Sequence, residues 1–322
     1  MSVSTLRPST GSRGTSTPAH VLSVCDALEL GLERVLSRAA ALRADRRSGR
    51  RVALLAGRQV ALVFEKPSLR TRVTFDVGVE LLGGHAIYLG PAEVGLGSRE
   101  APGDVAANLS RWVDAIVVRT FAHDTLLQLA AGASVPVVNA LTDREHPCQA
   151  LADLLTLRQH LGGPAGRSVA FIGDGNNVCH SLLLAGAAAG MEVRVATPPG
   201  HGPLEEVVVQ ARHLARRSGG AVDVGTDPVR AVTGADAVYT DVWTSMGFEQ
   251  DADARRAHFA GYRVDAALLT AAPDALVMHC LPAHRGEEIT SEVLDGERSV
   301  VLDQAENRLY VQQALLLELL AS

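Results

Sequence analysis

Past residue 20 the chain alternates between short β-branched apolar runs and longer stretches whose apolar residues return every three or four positions. From 21 to about 44 the spacing predicts a helix. Strands are then predicted at 60–64, 86–89, 115–118 and 135–138. A second block is predicted at 169–172, 193–196, 237–240, 276–279 and 300–302, with helices or loops between the strands. Such alternation builds parallel sheets covered on both faces, so the fold class expected is α/β, with two doubly wound parallel-sheet domains linked by interdomain helices. A helix from Pro147 to about His160, stopped by Gly162, Gly163 and Pro164, is the expected hinge. A last helix over 306–320 carries Leu309, Leu315, Leu316, Leu319 and Leu320, enough apolar surface to fold back and bridge the two domains. The expected boundaries are a disordered tail over 1–19, a first domain over 20–154 completed by a C-terminal helix over 304–322, and a second domain over 155–303.

Composition narrows this picture. With 322 residues, 47% hydrophobic and 4% aromatic, the chain can bury a core in each of two domains. No apolar run approaches the roughly 18 residues of a membrane span, and residues 1–20 lack the apolar stretch of a secretory signal, so a cytoplasmic location is expected. The tail has arginines and no acids, as organellar transit peptides do, but no amphipathic apolar face goes with them. Cys25, Cys148, Cys179 and Cys280 form no CxxC pair, and free thiols are expected. A net charge of -6 without long basic runs gives no support for nucleic-acid or membrane-surface binding. The expected partner is a small molecule. Lys66 is the single lysine of the chain; every other strong base is arginine.

In open α/β sheets ligands sit beyond the carboxyl ends of the strands, and those positions are polar here. After the first strand comes Glu65-Lys66-Pro67-Ser68-Leu69-Arg70-Thr71-Arg72, followed by Val73, Val77 and Leu81 at four-residue intervals. This reads as a helix N-terminus capped by Ser68, whose free N–H groups and the charges of Lys66, Arg70 and Arg72 suit a phosphate. Arg119 follows the third strand. His146 and Gln149 stand at the start of the hinge helix, where both could polarise one carbonyl oxygen. In the second block, Gly173-Asp174-Gly175-Asn176-Asn177 is an incomplete dinucleotide fingerprint, lacking the third glycine and the acidic residue for a ribose. Asp241-Val242-Trp243-Thr244-Ser245-Met246-Gly247 and His279-Cys280-Leu281-Pro282-Ala283-His284 end two further strands. A zinc site on His279, Cys280 and His284 is the alternative for these residues, but no fourth ligand is evident.

Taken together, these motifs resemble the ornithine carbamoyltransferases, from about His20 to Leu320. Ser68-Leu69-Arg70-Thr71 is similar to that family's Ser-Thr-Arg-Thr turn, and His146-Pro147-Cys148-Gln149 to its His-Pro-x-Gln segment. Asp241-x-x-x-Ser245-Met246-Gly247 and His279-Cys280-Leu281-Pro282 look like the ornithine rather than the aspartate branch. The resemblance implies carbamoyl phosphate on Ser68, Leu69, Arg70, Thr71, Arg119, His146, Gln149 and Arg308, with Cys280 and Leu281 nearby. It implies ornithine on Asn177, Asp241, Ser245 and Met246, the α-ammonium at Asp241 and the α-carboxylate at Asn177. Cys280, Arg119 and His146 are the catalytic candidates, and a homotrimer or higher homo-oligomer is implied. Leu69 departs from the usual threonine. In Glu93-Val94-Gly95-Leu96-Gly97, Gly95 stands where many members have a glutamine that reaches a neighbouring subunit's phosphate.

The chemistry asks for little more. An amine titrating near a lysine, roughly 10.4, is free base in about one molecule per thousand at pH 7, so deprotonation costs roughly 4 kcal/mol. Aligning two substrates supplies roughly 7 to 11 kcal/mol, and each fixed donor to the developing oxyanion roughly 3 to 4. Arg119, His146 and Thr71 are candidates for those donors. No cofactor or metal is required, since carbamoyl phosphate is already activated. The Ser245-Met246-Gly247 loop is the expected lid. Three alternatives stand beside this reading: a carbamoyltransferase for putrescine or an acylated ornithine, a nucleotide-dependent dehydrogenase, and a catalytically silent relative.

Overall fold

A computed structural model of the chain describes residues 19–97, 99–244 and 252–320. The expected tail therefore lies, apart from Ala19, outside the described residues. The first sheet contains β1 (Gln59–Phe64), β2 (His85–Leu89), β3 (Ala115–Arg119) and β4 (Val137–Leu141), all parallel, in the order β2-β1-β3-β4. The second contains β5 (Ser168–Ile172), β6 (Glu192–Ala196), β7 (Ala221–Gly225), β8 (Ala237–Thr240) and β9 (Leu276–His279), all parallel, in the order β7-β6-β5-β8-β9. Two parallel-sheet α/β units follow, as the alternating pattern implies.

Both central strands are apolar on both faces because helices cover both. Val60 through Phe64 and Val169 through Ile172 are fully buried. Each Val, Leu, Ile or Phe removed from water there contributes about 1.5–3 kcal/mol.

Four predicted elements need correction. The stretch 300–302 is no strand: Val301 opens the C-terminal helix, Val301–Leu320, so two of the three apolar residues that read as β belong to a long helix, and Val300 before it gives its N–H to the Val277 carbonyl. The fourth strand runs Val137–Leu141 rather than 135–138, with Asn139 buried inside it and donating through its amide to the Leu22 carbonyl. The 21–44 helix is two helices, Val24–Glu29 and Leu32–Arg47, separated at Gly31 with φ 91°. The strand β7 was not predicted. Its residues alternate between exposed and half-buried at the sheet edge, and its sequence offers only two valines.

The hinge helix, Pro147–Leu161, is almost wholly buried along its first eleven residues and ends at Gly162. The C-terminal helix packs along it, along Leu32–Arg47 and along the helix Leu69–Leu81, and also meets β9. It thus joins both units, and it begins five residues earlier than predicted. The four cysteines are free. Among the described residues no helix is long and apolar enough to cross a membrane.

Candidate active site

The chain reverses its direction across the first sheet between β1 and β3, and across the second between β5 and β8. The carboxyl ends at these reversals are where the fold leaves room for ligands. Both sets open onto one cleft of about 750 Å³, whose lining includes Ser68, Thr71, Arg119, His146, Arg308 and, from the second unit, Asn177, Asp241 and Cys280.

The first-unit wall is cationic. Ser68 caps Leu69–Leu81 as expected, its Oγ accepting the Thr71 N–H at 3.3 Å, so the first-turn amides of the helix face the strand ends. The hydroxyl of Thr71 accepts from Arg308 Nη2 at 2.5 Å and from Arg119 Nη1 at 3.5 Å. One guanidinium therefore comes from the end of β3 and the other from the C-terminal helix. Burial, then Arg308 and Arg70, pull Arg119 down to about 10. Burial, then Arg119, pull Lys66 down to about 8, and its ammonium lies 4.5 Å from the Phe121 ring centre. These cations depress one another, which is the electrostatic mark of a site that receives an anion. His146 stands at the N-cap position of the hinge helix. Burial, then Arg308, Arg119 and Lys66, hold its imidazole far below the usual range, so it is neutral at pH 7. Its Nδ1 and the Nε atoms of Arg119 and Arg308 are buried without protein partners.

The second-unit wall presents one buried carboxylate, Asp241, with Arg256, Arg285 and Glu287 also lining it. Asn176 caps the helix Asn177–Ala188 with Oδ1, which accepts the N–H groups of Val178 and Cys179, while its Nδ2 donates to Asp241 Oδ2 at 2.8 Å. The Cys280 thiol donates to Asp241 Oδ1 at 2.9 Å. Burial, then Asp241, push that thiol well above its ordinary range, so it is a neutral donor rather than a thiolate. Gly175 makes the cap possible: a Cβ there would sit 2.2 Å from the backbone nitrogen of Pro203. Asn177 donates across the cleft to the Thr142 carbonyl at 2.5 Å.

Other predicted residues are placed differently. The side chain of Leu69 is 74% exposed and does not line the cleft. Arg72 stacks on Tyr88, its guanidinium carbon 3.7 Å from the ring centre, so its charge does not enter the cleft as predicted. The helix's core face is Thr71, Phe75, Gly78 and Val79; Val73 and Leu81 are exposed, because an intact four-residue spacing marks a stripe without saying which side it faces. Arg70 is half-buried and acts on Arg119 through charge. Gln149 is buried, with its Oε1 left without a protein partner. Leu281 packs its side chain on the second core and gives its N–H to His279 Nδ1 at 2.9 Å. Ser245, Met246 and Gly247 lie outside the described residues, and the lid reading with them.

The alternative zinc site on His279, Cys280 and His284 does not assemble among the described residues. Asp241, His279 and Cys280 cluster, whereas His284 groups with Glu287 and Glu288. Both nitrogens of His279 are engaged, Nε2 with Glu288 Oε1 at 3.0 Å and Nδ1 with Leu281. Sequence reasoning missed Asn176, whose signal was its N-cap position, whereas Lys66 lines the cleft among the cations the sequence assigned to a phosphate.

Two family models match almost the whole described chain. The carbamoyl-P binding domain of the aspartate/ornithine carbamoyltransferases matches residues 19–159, and their Asp/Orn binding domain matches residues 165–319. The chain belongs to the aspartate/ornithine carbamoyltransferase family. An ornithine carbamoyltransferase from Parafrankia sp. (strain EAN1pec) is 57% identical over 86% of this chain and 87% of its own. The solved ornithine carbamoyltransferase from Pyrococcus furiosus superposes with a TM-score of 0.91 at 45% identity, covering 95% of this chain and 99% of its own. An acetylornithine transcarbamylase complexed with acetylcitrulline superposes with a TM-score of 0.84 at 31% identity, covering 94% and 99%.

Proposed function

We propose that this protein is an enzyme that transfers the carbamoyl group of carbamoyl phosphate to the side-chain amine of L-ornithine, giving L-citrulline and phosphate. The observation that carries this reading is the facing of two walls across one cleft: Thr71, Arg119 and Arg308 on one side, the Asp241–Cys280 pair on the other. The dianion sits on the helix N-terminus with Ser68, Arg70, Thr71, Arg119 and Arg308, and the first-turn backbone serves at Leu69. Arg119, neutral His146 and Thr71 supply donors to the carbamoyl oxygen as charge builds on it, each worth roughly 3 to 4 kcal/mol. Gln149 meets the carbamoyl group, and Leu281 contributes through its backbone beside Cys280.

Ornithine approaches from the second wall. Its α-ammonium pairs with Asp241, its α-carboxylate with Asn177, and Ser245 and Met246 close over it. The Cys280 thiol, held neutral against Asp241, keeps that carboxylate oriented. The amine loses its proton before or during attack on the carbonyl carbon, and the departing phosphate is an available acceptor.

The proposal includes a place in arginine metabolism, a cytoplasmic setting and a homotrimer or higher assembly. Four free thiols favour a reducing compartment. Exposed apolar side chains on the first unit, Leu69 at 74% and Trp112 at 70%, favour self-association, which sedimentation equilibrium tests.

A second reading, an acylated ornithine as acceptor, starts from Leu69, which departs from the family's usual threonine. Asp241 opposes it, since an acylated α-amine carries no charge to pair with a carboxylate. Product formation from carbamoyl phosphate with L-ornithine, putrescine, N-acetylornithine and aspartate in parallel, across pH 7 to 9, decides between them. Turnover with ornithine alone, rising with pH, supports the proposal. Preference for N-acetylornithine transfers the assignment to the second reading, and no turnover with any acceptor overturns both.

A further inference from the structure

Two side-chain amides converge on one carboxylate oxygen at the boundary between the two units. Gln149 Nε2 donates to Asp153 Oδ1 at 2.8 Å and Gln304 Nε2 donates to the same oxygen at 2.7 Å. The Oε1 of Gln304 accepts the backbone N–H of His279 at 3.0 Å. All four residues are buried.

The roles in this chain of bonds are forced. A backbone N–H only donates, so Gln304 meets His279 with its carbonyl oxygen and turns its NH₂ toward Asp153. Asp153 Oδ1 is thereby committed as an acceptor, and Gln149 also turns its NH₂ toward it. Two acceptors of this network remain buried and without a partner, the Gln149 carbonyl oxygen and Asp153 Oδ2, and the first belongs to the residue assigned to the carbamoyl group. A buried acceptor left open in this way calls for a donor from a ligand.

We propose that Asp153 is a positioning residue that locks the Gln149 amide with its carbonyl oxygen free, so that the site prefers an acyl phosphate carrying –NH₂ over one carrying –CH₃. This rests on the reading that Gln149 meets the carbamoyl group. With the lock removed, the amide can turn and present its own NH₂, which repels a carbamoyl –NH₂ and is indifferent to a methyl group. The lock is set by His279, the residue before Cys280, so one run of bonds ties the strand carrying the thiol to the carbamoyl pocket.

The test is equilibrium binding without ornithine, comparing carbamoyl phosphate with acetyl phosphate and using inorganic phosphate to monitor the cationic wall. Asp153→Leu is expected to lower the ratio of the acetyl phosphate Kd to the carbamoyl phosphate Kd about tenfold, with the phosphate Kd within about twofold of the parent. Asp153→Asn, which keeps an oxygen acceptor, is expected to restore most of the ratio. Should Asp153→Leu fail to fold, Gln304→Leu removes the bond that commits Asp153 and lowers the ratio about threefold. An unchanged ratio in the Asp153→Leu protein, or in Gln304→Leu where that protein stands in for it, overturns the proposal. Gln149→Met separates the two levels. If it leaves the ratio intact, Gln149 does not meet the carbamoyl group and the underlying reading fails; if it collapses the ratio while the other variants do not, only the lock fails.

Discussion

The two walls of the cleft handle charge in opposite ways. On the first, no carboxylate among the described residues forms an ion pair with Lys66, Arg119 or Arg308, and after burial each is lowered by a neighbouring cation: Arg119 by Arg308 and Arg70, Lys66 by Arg119, and Arg308 by Arg70. On the second, Asp241 is already satisfied by Asn176 and Cys280. An anion entering the first wall relieves a repulsion built into the fold, whereas a cation entering the second must share a carboxylate that already has partners. The comparison implies an order: the phosphate-bearing substrate binds the empty enzyme well, and the amine binds well only afterwards, against the donor already in place. Ornithine binding should accordingly tighten at least about tenfold when carbamoyl phosphate or inorganic phosphate is present.

The largest effect expected of a single substitution is on the first wall. Arg119→Met removes a donor to both the phosphate and the developing oxyanion, so kcat/KM for carbamoyl phosphate should fall about 10³-fold, with the circular dichroism spectrum retained. On the second wall, Asp241→Asn should lower kcat/KM for ornithine about 10²-fold while the inorganic phosphate Kd stays within about twofold. A loss of phosphate affinity in Asp241→Asn would mean that the walls are not separable, and the comparison would have to be abandoned.

A smaller effect distinguishes the walls by pH. Lys66 in the empty enzyme titrates at about 8, and a bound dianion favours its charged form, so the bound pKa is higher. Phosphate affinity from this group is therefore complete below about 8 and declines above it, by about tenfold per pH unit, until the bound pKa is passed. Calorimetric titration with inorganic phosphate from pH 7 to 10 should show this decline, and Lys66→Met should bind more weakly but without that step. A decline that persists in Lys66→Met would assign it to another group.

How much of this was legible in the sequence follows the range of the interactions. The central strands were read correctly because burial on both faces writes an unbroken apolar run. The strand β7 was not, because an edge strand with one half-buried face needs few apolar residues. Residues 300–302 were misread because three apolar residues look alike at the start of a strand or of a long helix. In the site, Ser68, Thr71, Arg119 and Asp241 lie just beyond or at the ends of strands, where the fold class alone directs attention. Asp153 and Gln304 could not be found so. They are 151 residues apart, and their meaning lies in which atom donates to which. Asn176 lies between these cases: its capping role is visible locally, but its hold on Asp241, 65 residues away, is not.

The smallest effect expected is at Leu69, and it sharpens the description of the first wall. Leu69 occupies the first position of the Leu69–Leu81 helix, and its side chain is 74% exposed. A first-turn residue can serve an anion through its backbone N–H whatever its side chain, because that N–H has no acceptor within the helix. Leu69→Ser should therefore change kcat/KM for carbamoyl phosphate by no more than about twofold at fixed protein concentration. A larger loss would show that the wall reads the side chain at this position. If that loss vanished as protein concentration rose, the side chain would act in self-association, and the wall itself would remain a matter of backbone, hydroxyl and buried cation.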